Sequence, residues 1–241
     1  MNTQKTPPIK MPVELINLYT MNGSVGVEYN YKNGSDSSGL FYSKNEIEEF
    51  IKRISNRETH YYGSTDTWLY EALDKYNIAD SRVVIFGSTI PWYESIAINR
   101  GCRKCCVIEY GDRDSDYEGI SFLKPNSEET FSLDADFGFS ISSFEHSGLG
   151  RYGDPLDPDG DIKAMKISKK IIRKGGIMFL SIPVGKDKVV WNIHRVYGDA
   201  RFGLLTKGWE IIDSFGFEEK EKSIDRGGEG GYQPVFVLKN I

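Results

Sequence analysis

The chain is short of cysteine, of long apolar runs and of basic charge, and each shortage excludes a class of function. Its three cysteines, Cys102, Cys105 and Cys106, crowd into GCRKCCVIEY. Cys102 and Cys105 make a C-x-x-C, but no second Cys or His pair stands at ligand spacing, so no tetrahedral zinc site is assembled. Small residues entering a buried strand explain the cluster better. No run approaches the ~20 apolar residues of a membrane helix. With 30 Lys and Arg against 35 Asp and Glu, a formal net charge of -5 offers no footing for nucleic acid or an anionic membrane. The opening MNTQKTPPIKMPVELINLYT lacks the apolar stretch and cleavage site of a secretion signal, so the expected compartment is the cytoplasm. What is present is an ordinary globular composition, 39% hydrophobic and 13% aromatic, in a length of 241 residues that accommodates one large core.

Turn signals set the first eighty residues apart. NGSVGVEYNYKNGSDSSG, residues 22–39, holds two Asn-Gly steps and predicts a hairpin or a mobile loop. SKNEIEEFIKRIS opens with Ser43 and Glu46 at capping-box spacing, and Ile47, Phe50, Ile51 and Ile54 fall on one helical face. DTWLYEALDKYN predicts a second helix, capped by Asp66. These pieces read as an N-terminal hairpin and helical lid over residues 1–80, preceding one unit over 81–241.

From there strands and helices alternate. RVVIFG (82–87), CCVIEY (105–110), the weaker GISFLKP, ADFGFSISSF (135–144) and GGIMFLSIPVG (175–185) read as strands, and KGWEIIDSFGF with YQPVFVLKN as a final pair. PWYESIAINRG and DIKAMKISKKIIRKGG read as helices, the latter capped by Asp161 and stopped by Gly175 and Gly176. Near-continuous apolar strands separated by helices predict an α/β fold: a Rossmann-like, open, mostly parallel sheet with helices on both faces.

Ligands of such sheets bind beyond the carboxyl ends of the strands. Here that edge carries FGSTIPWYES and IEYGDRD, and Glu109 lies 22 residues after Gly87, the spacing of an acid that accepts hydrogen bonds from a ribose diol. The loop has only Gly87 where a dinucleotide fingerprint has three glycines, and Thr89, Ile90 and Pro91 obstruct a pyrophosphate. NAD is disfavoured; a nucleoside without phosphates, such as S-adenosylmethionine, demands less.

The succession GSTIPWYES, VIEY, DADFGFSISSFEHSGLG, GGIMFLSIPVG, HRVY and GWEIIDSFGF resembles the class I S-adenosylmethionine-dependent methyltransferases. Within that shape, EHSGLGRYGDPLDPDGD and IHRVYG are similar to domain-of-unknown-function family 268, over roughly residues 80 to 240. The resemblance implies S-adenosylmethionine as cofactor, held by Gly87, Ser88, Glu109 and Tyr110, with Asp136 and the pair Glu145-His146 at the superfamily's positions before and after its fourth strand. It implies methyl transfer, most plausibly to an oxygen of a small molecule or carbohydrate.

The segment EHSGLGRYGDPLDPDGD carries the remaining chemistry. His146 and His194 compete as the base that takes an acceptor's proton, and His60 is less suggestive. Arg151 and Arg195 are candidate grips for a carboxylate, phosphate or acidic sugar, with Tyr152 beside them and Asp154 as a catalytic or orienting acid. Asp154, Asp157 and Asp159 raise a divalent metal as an alternative, although the calcium-loop pattern fails: its glycine comes one place early, and Ser168 stands where the bidentate Glu belongs. Tyr61, Tyr62, Trp92, Tyr93, Tyr110 and Tyr152 are candidates for stacking on adenine or a sugar face. Two other classes stay open: a metal-dependent hydrolytic or sugar-active enzyme on the same fold, and a binding protein that has lost the cofactor.

Overall fold

A computed structural model describes residues 7–33, 39–228 and 230–241. The chain begins with α1 (Val13–Tyr19), β1 (Gly26–Tyr29), β2 (Leu40–Tyr42), α2 (Lys44–Ser55) and α3 (Ser64–Lys75). It continues through β3 (Arg82–Phe86), α4 (Trp92–Asn99), β4 (Lys104–Ile108), β5 (Arg113–Ser115), β6 (Ile120–Leu123), α5 (Glu128–Phe131) and β7 (Ala135–Ile141). The last part holds α6 (Gly160–Ile171), β8 (Ile172–Ser181), β9 (Lys188–Trp191), β10 (His194–Val196), α7 (Phe202–Leu205), β11 (Trp209–Phe215) and β12 (Val235–Asn240).

Seven strands form the main sheet in the order β11-β12-β8-β7-β3-β4-β6. The pairs from β6 to β8 are parallel, while β12 runs antiparallel to both β8 and β11. Counted along the chain, the parallel strands lie 3-2-1-4-5, the Rossmann-like order, with its switch point between β3 and β7. The sheet is the Rossmann-like, open and mostly parallel one expected from the sequence, with one antiparallel strand added.

Strand residues alternate between two cores. Val83 and Ile85 face a cluster with Phe50, Leu69, Leu73 and Ile96 from α2, α3 and α4. Val84 and Phe86 face the opposite cluster, with Met165 and Ile171 of α6 and Phe202 of α7. Burial on both faces is why these strands read as unbroken apolar runs, and each such side chain contributes ~1.5–3 kcal/mol. A small sheet of order β1-β9-β10 packs with α1 around Tyr19, Val189 and Trp191. Among the described residues, no helix is long and apolar enough to cross a membrane.

Several local expectations hold: Ser43 Oγ accepts the Glu46 N–H at 3.2 Å, and Ile47, Phe50 and Ile54 are buried. Others need correction. Among the described residues of 22–39 there is no hairpin pairing. β1 pairs in parallel with β9 and β2 in parallel with β5, so each strand finds a distant partner; residues 34–38 lie outside the described residues. Asp66 does not cap α3, which begins after Gly63; it is buried, accepting the His60 N–H at 2.7 Å and the Tyr93 hydroxyl at 3.1 Å. Helix α6 does not run to Gly175. It ends at Ile171 and β8 begins at Ile172, both buried, which leaves Gly175 and Gly176 inside the strand.

Asp161 does not cap α6 either: it lies one residue inside the helix and is fully buried. Its carboxylate accepts from Tyr197 Oη at 2.9 Å, Arg201 Nε at 2.9 Å and Arg201 Nη2 at 2.6 Å, with Arg195 Nε at 3.8 Å. Burial opposes the charge, but Arg195 and Arg201 outweigh it and hold the carboxyl below its ordinary range. Removing one cation leaves a buried charge short of partners. Arg201→Met is therefore expected to cost about 3 kcal/mol in urea unfolding, and Asp161→Asn in the Arg201→Met background to recover part of that loss.

Candidate functional site

A cavity of about 940 Å³ opens at the carboxyl ends of β3, β4 and β7, at the switch point of the sheet. One half is built by the loops after β3 and β4. Gly87 has φ +72°, and a Cβ there would stand 2.3 Å from Ser143 Oγ, so only glycine fits between the two strand ends. The Glu109 carboxylate accepts the Ser88 N–H at 3.2 Å through Oε2 and the Tyr110 N–H at 2.7 Å through Oε1, with Arg113 Nη2 at 3.5 Å. Each oxygen keeps a second lone pair. The Ser88 carbonyl accepts from Tyr42 Oη at 3.0 Å and from Arg113 Nη2 at 3.1 Å, which fixes the loop. Tyr110 stands half exposed on the cavity wall.

The other half follows β7. Ser142, at φ +50°, donates its hydroxyl to Glu145 Oε1 at 2.6 Å and accepts Gln233 Nε2 at 3.2 Å. Glu145 is fully buried, and burial pushes its carboxyl up to about 7. His146 Nδ1 lies 2.5 Å from the Ile193 carbonyl oxygen. A carbonyl only accepts, so the proton sits on Nδ1 and the Nε2 lone pair is free; Nε2 is 3.6 Å from Glu145 Oε1, too far for a hydrogen bond. Burial lowers His146 to about 4, and burial with the neighbouring His146 lowers His194 to about 4. The two rings are 6.3 Å apart. Both imidazoles are neutral at pH 7.

The structure brings most of the sequence candidates to this one cavity: Gly87, Ser88, Glu109 and Tyr110 on one side, His146, Arg151, Tyr152, Asp154 and His194 on the other. All six aromatic candidates, Tyr61, Tyr62, Trp92, Tyr93, Tyr110 and Tyr152, line it as well, as does His60. Arg195 is the exception. It is fully buried away from the cavity, donating to the carbonyls of Glu145, Ser147, Asp157 and Pro158, because a guanidinium with five donors can satisfy a loop's inward-facing oxygens at once. Asp136 sits at the far end of β7, bound to Arg82 and Arg173.

The aspartates are engaged by the loop itself. Asp154 accepts the N–H groups of Gly148, Gly150 and Tyr152, and Asp157 accepts the Asp159 N–H and Lys163 Nζ. Among the described residues no group of three or more His, Cys, Asp or Glu is placed to hold a metal ion, so the divalent-metal alternative finds no donor set. The three cysteines are free, with Cys105 and Cys106 buried in β4.

A family model described as "Caenorhabditis protein of unknown function, DUF268" matches residues 80–229. The chain belongs to the DUF268 family. No curated protein matches it. Solved structures similar to this DUF268 chain include the 1,6-didemethyltoxoflavin-N1-methyltransferase of Burkholderia thailandensis, with bound 1,6-didemethyltoxoflavin and S-adenosylhomocysteine. That match has a TM-score of 0.48 and 11% identity, covering 80% of this chain and 86% of that one. The PH0226 protein of Pyrococcus horikoshii OT3 matches with TM-score 0.49 and 10% identity over 77% of this chain and 93% of that one. An S-adenosylmethionine-dependent methyltransferase from Mesorhizobium loti matches with TM-score 0.40 and 12% identity over 71% and 97%. At such identities none of them assigns an activity.

Sequence reasoning did not find Tyr42, Arg113, Ser142 or Gln233. Arg113 lies within IEYGDRD and Ser142 within ADFGFSISSF, but nothing in either pattern marked these side chains; Gln233 lines the cavity from a distant part of the chain, and Tyr42 braces the Ser88 carbonyl from β2. Glu145 supplies a pH signature. Its carboxyl keeps its proton to about 7 in the folded chain but only to the ordinary 4.5 when unfolded. Folding is therefore increasingly penalised at this group as pH rises from 4.5 to about 7. Denaturant unfolding of Glu145→Gln against the parent across pH 5 to 7.5 is expected to show the variant gaining relative stability as pH rises.

Proposed function

We propose that this DUF268 protein is an S-adenosylmethionine-dependent methyltransferase acting on an oxygen of a small molecule or carbohydrate. The observation that carries the reading is the placement of Gly87 and Glu109 on one wall of a cavity whose opposite wall holds His146. The residues present fit the cofactor. Gly87 clears the strand ends where any side chain would collide with Ser143, and Glu109 retains lone pairs for a ribose diol after its two backbone contacts. The absence of further glycines matters less for a ligand without a pyrophosphate.

When bound, the cofactor supplies an electrophilic methyl group. The chain's own contribution is then positioning and proton management. Glu109, with Ser88 and Tyr110, orients the nucleoside. Across the cavity, the neutral His146 presents Nε2 as a proton acceptor because its Nδ1–H is committed to the Ile193 carbonyl. An imidazole lowered to about 4 is a weak base by itself. Glu145, 3.6 Å from Nε2 and titrating at about 7, offsets the positive charge that proton transfer leaves on the ring. His194 stands close enough to share that role. The loop carrying His60, Tyr61 and Tyr62, between α2 and α3, covers the same cavity as a lid.

Calorimetric titration with S-adenosylmethionine and S-adenosylhomocysteine tests the reading. Saturable binding is expected, weakened about 10- to 100-fold by Glu109→Ala, as befits loss of charge-assisted hydrogen bonds worth about 1.5–3 kcal/mol. Absence of binding by the parent protein at millimolar ligand would overturn it.

A further inference from the structure

The acceptor half of the cavity has a charge inventory of its own. Its acids are spent: Asp154 on three backbone N–H groups and Asp157 on Lys163. One of its cations is not. Arg151 lies over the Tyr152 ring at 4.9 Å, its Nε is buried without a hydrogen-bond partner, and no acid among the described residues pairs with it. Lys32, at the cavity's rim, pairs with no acid among the described residues either. In a chain of net charge -5, two cations that line one cavity and pair with no acid among the described residues offer an anion a place to bind.

Beside Arg151 stand acceptors that lack donors. Gln233 donates Nε2 to the Gly230 carbonyl, which fixes the amide orientation and leaves Oε1, buried and unpartnered. His146 Nε2 is an acceptor by its tautomer, and the buried His194 Nε2 also has no partner. Buried acceptors without partners call for hydroxyl donors, since each costs about 1–3 kcal/mol while unsatisfied.

Resting on the methyl-transfer reading above, we infer that the acceptor is a polyhydroxylated small molecule bearing an anionic group, a carboxylate or a phosphate, received by Arg151 with Lys32. Its hydroxyls meet Gln233, His146 and His194, and the one at His146 is the hydroxyl that loses its proton.

The three histidines give the test a direct readout: His146 and His194 line this half of the cavity, and His60 lines it from the loop between α2 and α3, against Phe50 and Trp92. Imidazole NMR resonances of the full chain are followed with S-adenosylhomocysteine present while sorbitol, gluconate or sorbitol 6-phosphate is added. Gluconate or sorbitol 6-phosphate is expected to shift the His146 and His194 signals saturably, at concentrations about tenfold below those sorbitol requires. Arg151→Gln is expected to remove that preference and Arg151→Lys to keep part of it, both with unchanged thermal unfolding and unchanged S-adenosylhomocysteine affinity. Whichever anion binds tighter distinguishes a carboxylate from a phosphate. Equal response to sorbitol, no response to either anion, or an unaltered preference in Arg151→Gln overturns the inference. Anion-dependent shifts that persist when S-adenosylhomocysteine fails to bind overturn the methyl-transfer reading and support the receptor.

Discussion

The buried carboxylate of Asp161 is the constraint on which the His146–Tyr152 side of the cavity depends. It has no access to water, so its charge is tolerable only while Arg201, Arg195 and Tyr197 surround it. Those partners come from β10 and the residues after it, whereas Asp161 belongs to the first turn of α6. The ion cluster thus joins the helix to the small sheet, and the loop from 144 to 160 is held between them. Arg195 extends the tie by donating to four carbonyls of that loop. This anchoring acts together with the contacts of His146 and Arg151 with the Tyr152 ring in placing the three residues.

The wall that carries Gly87 and Glu109 rests on a different kind of constraint, a steric one. At the switch point the ends of β3 and β7 approach so closely that Gly87 has no room for a side chain beside Ser143. That closeness brings the wall with Gly87 and Glu109 and the wall with His146 into one cavity. A second steric limit operates at Gly148, where a Cβ would fall 2.0 Å from the Asp157 carbonyl oxygen, and φ is +83°. The same loop that is closed by Asp154 is therefore folded back on itself without slack.

Burial sets the electrostatics of the centre. The same desolvation that raises Glu145 to about 7 lowers His146 and His194 to about 4, so a carboxyl near its midpoint faces two neutral imidazoles. Groups whose ordinary values lie on opposite sides are reordered by one physical cause. Around them Asp154 is hydrogen-bonded to backbone and Asp157 to Lys163, whereas Arg151 pairs with no acid among the described residues, although the chain as a whole is acidic.

The apolar runs RVVIF, CCVI and GIMFLS, each ended by glycine, an acid or proline, determined the parallel sheet and its carboxyl edge by themselves, because residues buried on both faces leave no polar alternation to mistake. The spacing from Gly87 to Glu109, and the histidines and Arg151 in loops at that edge, were legible for the same reason: strand order and chain direction place such loops at one end. The roles of Asp154, Asp161 and Arg195 were not. A charged residue in a glycine- and proline-broken segment reads alike whether it faces a ligand, caps a helix or is sealed inside, and the choice depends on which distant groups arrive beside it. Tyr197 and Arg201 made Asp161 an internal anchor, four carbonyls drew Arg195 inward, and Gln233 reached the site from the edge of the final strand. The local pattern determined the scaffold because apolar burial is a property of each residue; the tertiary structure decided the polar roles because a hydrogen bond or ion pair is a property of two.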